Sequence, residues 1–221
     1  MNIYLESVDL DEIRSAASAG LADGVAFTHP TSDSDGENAY TRERLEEISR
    51  EFAFPVCVPV GAVTSGDIYS EARELAKISD HVVVQIPLVE DSLVPMSRLT
   101  AEGVVVCATF VYSPAQAIIA AKAGAAAVQV TLDDLERYGQ PATRTVAEIK
   151  SALETGEEEC DVIAASPLSS VQFAECALAG TDIICLTPEI LKQLVVHPLS
   201  DRGVDRFLNA LAKRPRSRVS T

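Results

Sequence analysis

Eight alternations of β-branched runs with helix-like patterns predict an α/β fold, a (β/α)8 TIM barrel with one extra C-terminal helix. The chain has 221 residues, so each strand–helix unit occupies about 28 residues, close to the shortest length that such units allow. The runs VVVQIP and VVVCATF are almost continuously apolar, as in parallel sheets that helices cover on both faces. An open doubly wound sheet would use fewer strands and usually a glycine-rich phosphate turn, and the sequence contains no GxGxxG, GxxxxGKS or GxxxxGKT.

The elements follow one another in a regular order. Strands are predicted at residues 3–5, 24–28, 56–60, 81–86, 104–109, 127–131, 162–165 and 183–186. The intervening helices are predicted at residues 10–19, 42–52, 66–78, 92–101, 114–123, 143–154, 169–179 and 188–195. Ser7 or Asp9 is expected to cap the first helix and Thr41 the second, because these side chains accept hydrogen bonds from first-turn N–H groups.

The C-terminal region adds one helix beyond the eight units. Residues 200–212 carry Val204, Phe207, Leu208 and Leu211 on one helical face. We therefore expect residues 1–212 to form a single barrel domain, which includes this helix, and residues 213–221 to form a solvated basic tail.

Charge and composition exclude several classes of function. The chain has 33 acidic and 18 basic residues, a net charge of −15, which repels phosphate backbones, so no nucleic-acid partner is expected. No apolar stretch approaches about 18 residues and no secretory signal is recognisable, so a cytoplasmic protein without a membrane span is expected. The five cysteines show no CxxC and no Cys/His metal spacing, which predicts reduced thiols and no metal site. No cofactor is expected.

Polar residues at the predicted strand ends are the candidate site, because active sites of such barrels lie at the carboxyl ends of the strands. The candidates for catalysis are Glu6, His29, Gln85 and Thr109. The candidates for substrate binding are Thr28, Thr131, Asp133 and Ser166.

Two of these residues can transfer protons. A partly desolvated Glu6 at a barrel mouth would have a raised pKa and act as an acid or base, whereas a solvated loop acid would not. His29 can exchange protons near neutral pH, with a purely structural role as the alternative. A metal site built from Glu6, His29 and Asp133 has no supporting ligand spacing.

Gln85 is a polar residue inside an apolar strand. Strand alternation places it on the same face as Val83, and if this face is the barrel interior, an amide points toward the barrel mouth. Two interpretations stay open: a core amide bonded to its neighbours, or an amide that faces a ligand.

Several motifs in order resemble the small transaldolases and fructose-6-phosphate aldolases. The opening MNIYLESVD resembles the family's YLDTAD, GVAFTHP resembles GVTTNP, and VVVQIP resembles VVKIP. AEG at 101–103, AAS at 164–166 and AG at 179–180 also match, so the resemblance covers residues 1 to about 211. It implies a (β/α)8 barrel whose relatives handle dihydroxyacetone units and aldose phosphates in the cytoplasm and assemble as rings through the C-terminal helix.

The resemblance also implies that catalytic residues have changed. The family forms a Schiff base through a lysine in the fourth strand, where this chain has Gln85, whose amide nitrogen is not nucleophilic. The family's strand-one Asp corresponds to Glu6 and its TNP Asn to His29. A Gln and a Tyr that hold the catalytic water correspond to Pro59 and Thr131, while their Thr partner is kept as Thr109.

The phosphate-binding residues implied by the family are only partly present. The serine is kept as Ser166, but the basic residue two places later is Leu168. The five lysines lie outside the predicted strand ends, at 77, 122, 150, 192 and 213. The family's amine mechanism is therefore expected to be lost.

Three functions compete. The first is a diverged enzyme acting on a small sugar-derived hydroxy-carbonyl compound, with Glu6 and His29 transferring protons and Gln85, Thr109 and Ser166 orienting the substrate. The second is a non-catalytic barrel that binds a metabolite or a protein. The third is conventional transaldolase or fructose-6-phosphate aldolase activity. A homo-oligomer is expected in each case.

Overall fold

Eight parallel strands form a closed barrel in chain order, which confirms the predicted fold class. The computed structural model describes residues 1–27, 41–156 and 158–212. The strands are β1 (Asn2–Glu6), β2 (Gly24–Ala26), β3 (Val56–Pro59), β4 (Val82–Pro87), β5 (Val105–Thr109), β6 (Ala127–Thr131), β7 (Asp161–Ala165) and β8 (Ile183–Leu186). Each strand pairs with its neighbour in sequence, and β8 pairs with β1 to close the barrel.

The helices surround the barrel. They are α1 (Leu10–Ser18), α2 (Arg42–Glu51), α3 (Ser65–Ala76), α4 (Leu93–Ala101), α5 (Pro114–Lys122), α6 (Leu132–Arg137), α7 (Ala142–Thr155), α8 (Ser170–Leu178), α9 (Pro188–Gln193) and α10 (Pro198–Ala212). Asp9 caps α1 by accepting hydrogen bonds from two first-turn N–H groups, and Thr41 caps α2. Helix α6 and a 3₁₀ turn at Glu90–Ser92 were not predicted.

Two separate apolar layers stabilise the barrel. The outer layer lies between strands and helices and consists mainly of large aliphatic side chains. The inner layer fills the barrel interior and consists mostly of Ala and Cys, with two Ile and one Tyr: Tyr4, Ala26, Cys57, Cys107, Ala127, Ile163, Ala165, Ile183 and Cys185. An eight-stranded barrel is just wide enough for such side chains to fill, so its interior is a packed core.

The largest side chain of the inner layer depends on a glycine in the neighbouring strand. Tyr4 in β1 pairs with Gly24 in β2, and a Cβ atom added to Gly24 would lie 2.6 Å from the Tyr4 ring. The absence of a side chain at Gly24 therefore gives the tyrosine ring its space.

The cysteines behave as small core residues. All five are buried with free thiols, and burial raises the pKa of the Cys57 thiol to about 12. The thiols of Cys107 and Cys185 also have pKa values well above the ordinary one, chiefly because they are buried. At neutral pH these three interior thiols are protonated and poorly nucleophilic.

The C-terminal helix begins two residues before the predicted start. None of the residues of α10 is buried, and the apolar side chains predicted to share one face, including Phe207 and Leu208, are exposed. The predicted tail at 213–221 lies outside the described residues. The division into a domain at 1–212 and a tail at 213–221 stays a prediction. No helix in the described ranges is both long and apolar enough to cross a membrane.

Candidate active site

The carboxyl end of the barrel brings together most of the polar residues expected from the sequence. Glu6, Thr109 and Thr131 are the last residues of β1, β5 and β6, and Ser166 directly follows β7. Gln85 lies two residues before the end of β4. Because all strands of the barrel are parallel, these side chains belong to the same end of it.

Glu6 and Ser166 lie within hydrogen-bonding distance of each other. Ser166 Oγ lies 3.4 Å from both carboxylate oxygens of Glu6. Burial raises the pKa of Glu6 to about 7, although hydrogen bonds from the side chain and backbone of Ser166 act in the opposite direction. A carboxyl group with this pKa is present in both protonation states at neutral pH, as an acid–base catalyst requires.

The backbone at Ser166 adopts a conformation that is uncommon for a residue with a side chain. Its φ is 56°, in the left-handed region, and its N–H donates to the carbonyl oxygen of Cys185 at 3.1 Å. Phe110, which directly follows β5, has a φ of 58°. Such conformations cost free energy and are found most often at functional sites.

Gln85 points into the barrel interior and is paired with a second amide. Val83, on the same face, packs against the inner layer, and Gln85 is only 1% exposed. Gln85 Nε2 donates to Gln129 Oε1 at 2.6 Å, while Gln85 Oε1 is buried without a hydrogen-bond partner in the described part of the chain. Gln129 was missed by sequence reasoning, although it alternates with Ala127 and Thr131 along β6 and is likewise polar in an apolar strand.

A tyrosine that was not predicted lies beside Thr131. The Tyr112 hydroxyl donates to Asp134 Oδ2 at 2.5 Å. Burial and Asp134 raise the pKa of Tyr112, and a hydrogen bond from Thr131 acts in the opposite direction. The phenol is therefore neutral at physiological pH and holds Asp134 at the start of α6.

The remaining predicted residues have different surroundings. Asp133 forms an ion pair with Arg137 of its own helix at 2.8 Å. Among the described residues, no hydrogen bond joins Asp133 to Glu6 or Ser166. Thr109 is buried, with 1% exposure. Thr28 and His29 lie outside the described residues, so their assigned roles stay predictions.

The described lysines lie away from the strands. Lys77 caps the C-terminus of α3, Lys122 ends α5, and Lys150 and Lys192 lie within α7 and α9. Lys122 pairs with Glu158, and Lys150 binds both carboxylate oxygens of Asp182 at 2.8 Å. Within residues 1–27, 41–156 and 158–212, no three His, Cys, Asp or Glu side chains are grouped to hold a metal ion.

Comparisons with known proteins agree on one family. Residues 38–218 match the sequence model of the family described as "Transaldolase/Fructose-6-phosphate aldolase". A "Probable transaldolase" of Petrotoga mobilis is 36% identical over 209 residues, which cover 95% of this chain and 94% of the relative. Proteins of the same name from Kosmotoga olearia and Caulobacter vibrioides are 34% and 33% identical, covering 95% and 98% of this chain and 95% and 99% of theirs.

A solved structure is similar in fold alone. It is the structure of "a cube-shaped, highly porous protein cage designed by fusing symmetric oligomeric domains". The match has a TM-score of 0.61 and 12% sequence identity, and it covers 95% of this chain and 76% of that chain.

Proposed function

The chain belongs to the transaldolase/fructose-6-phosphate aldolase family, and we propose that it acts on a small sugar-derived hydroxy-carbonyl compound by proton transfer at Glu6. The observation that carries this proposal is the position of the Glu6 carboxyl group at the carboxyl end of β1, 3.4 Å from Ser166 Oγ, where burial raises its pKa to about 7. A Schiff base plays no part in the proposed chemistry.

The proposed reaction begins with enolisation. Ionised Glu6 takes a proton from the carbon next to the substrate carbonyl, and the C–H electron pair moves into a carbon–carbon double bond while the carbonyl oxygen becomes an enolate. For exchange, the Glu6 proton is first replaced from the solvent, and Glu6 then protonates the same carbon of the enolate. For isomerisation, Glu6 protonates the neighbouring carbon while the hydroxyl proton moves to the enolate oxygen, so that the carbonyl group changes place. Loss of a β-hydroxyl group as water gives dehydration instead.

Other residues of the site have supporting roles in this proposal. The Ser166 hydroxyl, 3.4 Å from the Glu6 carboxylate, fixes the direction of the acid–base group. Thr109 and Thr131, at the ends of β5 and β6, supply hydroxyl groups that orient the substrate. His29 is assigned a second proton transfer from the sequence alone.

The positions of the amines support a mechanism without a Schiff base. The resemblance places the family's lysine at Gln85, whose side chain is an amide, and each of Lys77, Lys122, Lys150 and Lys192 lies on or at the end of a helix. An amide nitrogen does not condense with a ketone as an amine does.

Borohydride trapping tests this part of the proposal. The protein is incubated with dihydroxyacetone or fructose 6-phosphate, reduced, and weighed by mass spectrometry, with peptide mapping of any adduct. We expect the mass to stay unchanged. A substrate-dependent adduct on any single lysine would show that the amine mechanism survives and that the chain has the conventional activity suggested by its relatives' names.

Deuterium exchange tests the role of Glu6 directly. In D₂O, we expect the protein to catalyse the replacement of hydrogen by deuterium at the carbons next to the carbonyl of dihydroxyacetone. This exchange is measured by NMR. Replacing Glu6→Gln should slow exchange by about 10²- to 10⁴-fold, the usual contribution of a general acid–base group. Glu47→Gln, a matched change on the exposed face of α2, should leave the rate unchanged. Equal rates in wild type and Glu6→Gln would overturn the proposal.

The electrostatics favour an uncharged substrate. Leu168 stands where the family's basic residue would be, and Arg137 is already paired with Asp133. We therefore expect dihydroxyacetone to exchange faster than its phosphate. The reverse order would indicate a phosphate site that the described residues do not supply.

One observation favours a second function, a non-catalytic barrel that binds a metabolite or a protein. The Gln85–Gln129 pair fills the interior with two amides that neither titrate nor attack carbonyl groups. A ligand that raises the melting temperature without any deuterium exchange would support this function in place of catalysis.

We also infer a homo-oligomer from the exposed apolar face of α10. Val204, Phe207, Leu208 and Leu211 are between 43% and 62% exposed, an unusual amount of apolar surface for one helix of a monomer. Light scattering should report an assembly larger than one chain. Phe207→Asp should dissociate it, while Asn209→Asp on the other side of the helix should not, and a monomeric wild type would contradict the inference.

A further inference from the structure

We propose that the side-chain amide of Gln85 recognises a hydroxyl group of the ligand and makes the barrel selective for neutral, hydroxylated compounds. This inference rests on the proposed function in one respect, that the ligand binds at the carboxyl end of the barrel. It is independent of whether Glu6 transfers a proton.

Gln85 has one hydrogen-bond acceptor without a partner in the described part of the chain. Gln85 is 1% exposed, and its Nε2 already donates to Gln129 Oε1 at 2.6 Å. Its Oε1 is buried and accepts no hydrogen bond from any described residue. Buried polar atoms almost always have a partner, and each exception calls for an explanation such as a functional role.

Gln85 lies beneath accessible residues at the carboxyl end of the barrel. Gln85 is buried, but Glu6, Gln129, Thr131 and Ser166 at the same end of the barrel are each partly exposed. The amide pair therefore reaches from the accessible layer at the mouth, through Gln129, to the buried Gln85. A small ligand that enters at this end passes Glu6, Thr131 and Ser166 and then reaches Gln129 before the free acceptor of Gln85.

A hydroxyl group is the chemical group that fits the Gln85 amide. In the present arrangement Gln85 needs a donor. If both amides rotated by 180°, Gln129 would donate to Gln85, and Gln85 Nε2 would need an acceptor instead. A hydroxyl group can donate or accept, so it satisfies either arrangement.

Charged groups fit less well. A carboxylate or phosphate can only accept, and ionised Glu6 repels it. An ammonium can only donate. Ionised Glu6 attracts it, but the two amides that would surround it at Gln85 are neutral and do not offset the cost of burying its charge. The site therefore points to a neutral hydroxyl, such as that of a hydroxyketone or polyol.

The test compares ligands that differ at one group. Binding of dihydroxyacetone, of hydroxyacetone, which lacks one hydroxyl, and of 1-amino-3-hydroxyacetone is measured by NMR titration. The measurement uses the full chain, both as wild type and as Glu6→Gln. We expect dihydroxyacetone to bind between about 5-fold and 100-fold more tightly than hydroxyacetone, because the extra hydroxyl meets an otherwise unpaired buried acceptor.

Variants assign this preference to Gln85. Gln85→Met keeps the side-chain length but has no hydrogen-bonding group, and it should reduce the preference to about 2-fold or less. Gln140→Met, a matched change at an exposed position, should retain it. If Gln85→Met does not fold, Gln85→Asn, which withdraws the amide by one methylene, should still show a reduced preference.

The outcomes separate this inference from the proposed function. A hydroxyl preference without deuterium exchange would support the inference and overturn proton transfer by Glu6. Exchange that depends on Glu6, with a hydroxyl preference that survives in Gln85→Met and Gln85→Asn, would do the reverse. Equal binding of dihydroxyacetone and hydroxyacetone by wild type, tighter binding of the amine, or no binding of dihydroxyacetone would each overturn the inference.

Discussion

Ser166 Oγ lies 3.4 Å from both carboxylate oxygens of Glu6, which links the end of β1 to the residue that follows β7. Two opposing effects meet in this pair. Burial raises the pKa of Glu6 to about 7, and the hydrogen bonds from Ser166 keep it from rising further. Both the charged and the neutral form of the carboxyl group are consequently present at physiological pH. Its pKa depends on the hydrogen bonds from Ser166.

Removing the serine hydroxyl should shift that balance. We expect Ser166→Ala to raise the pKa of Glu6 above 7, because burial remains while one hydrogen bond to the charged form is lost. The pKa is read from the pH dependence of the carboxyl carbon signal of ¹³C-labelled Glu6, assigned with Glu6→Gln. Ser170→Ala, an exposed position in α8, is the matched control, and an unchanged pKa in Ser166→Ala would contradict the assigned contact.

Glu6 should also make stability depend on pH. Its pKa is about 7 in the folded chain and ordinarily 4.5, so between these pH values the folded state binds the proton more tightly than the unfolded state. The free energy of unfolding should therefore fall as the pH rises from about 4.5 to 7, by at most about 3 kcal/mol because Glu6 is partly exposed. Urea unfolding at pH 5 and pH 8 measures this. In Glu6→Gln, the free energy of unfolding should decrease less between these two pH values. An equal decrease in both proteins would refute the assignment of this pH dependence to Glu6.

The fold was predictable because its signals are local and repeated. Each strand is a short β-branched run, and the predicted bounds of β6 and β8 agree with the structure. Helix α6 was missed because Leu132–Arg137 has only six residues, too few to display apolar periodicity, and directly continues β6. The sequence has no comparable signal for an element of that length.

The sequence predicted which residues lie at the strand ends better than it predicted which of them contact one another. Strand alternation placed Gln85 on the face of Val83 and left open whether this face is the barrel interior, as the structure shows it to be. The partner Gln129 lies 44 residues away and is brought to Gln85 only by the tertiary arrangement of the strands. The same holds for Glu6 and Ser166, which are 160 residues apart. The contact between Tyr112 and Asp134 depends on the unpredicted α6, so nothing in the sequence pattern marked it.

Gly24 gives a prediction about stability. Gly24→Ala would place a Cβ atom 2.6 Å from the Tyr4 ring, so either the ring or the strand must shift within the packed interior. We expect a loss of about 1–3 kcal/mol in the free energy of unfolding, measured by urea denaturation.

Two controls make this prediction specific. Gly66→Ala, near the start of α3 with open space around its Cα, should be neutral or stabilising by up to about 1 kcal/mol. Combining Gly24→Ala with Tyr4→Leu should cost less than the sum of the single changes, because the smaller side chain removes the clash. Strict additivity would show that Tyr4 is not the cause.

The last prediction concerns the position from which the family's amine is absent. In Gln85→Lys, the new amine would stand where the Gln85 amide is 1% exposed, and burial lowers the pKa of a lysine toward the range in which it is nucleophilic at neutral pH. We expect borohydride reduction with dihydroxyacetone to give an adduct on residue 85, located by peptide mapping, whereas the wild type stays unmodified. Gln140→Lys, exposed to solvent, is the control and should not be trapped. An unmodified, folded Gln85→Lys protein would mean that a ketone does not reach this part of the barrel, which would count against Gln85 as a ligand-binding residue.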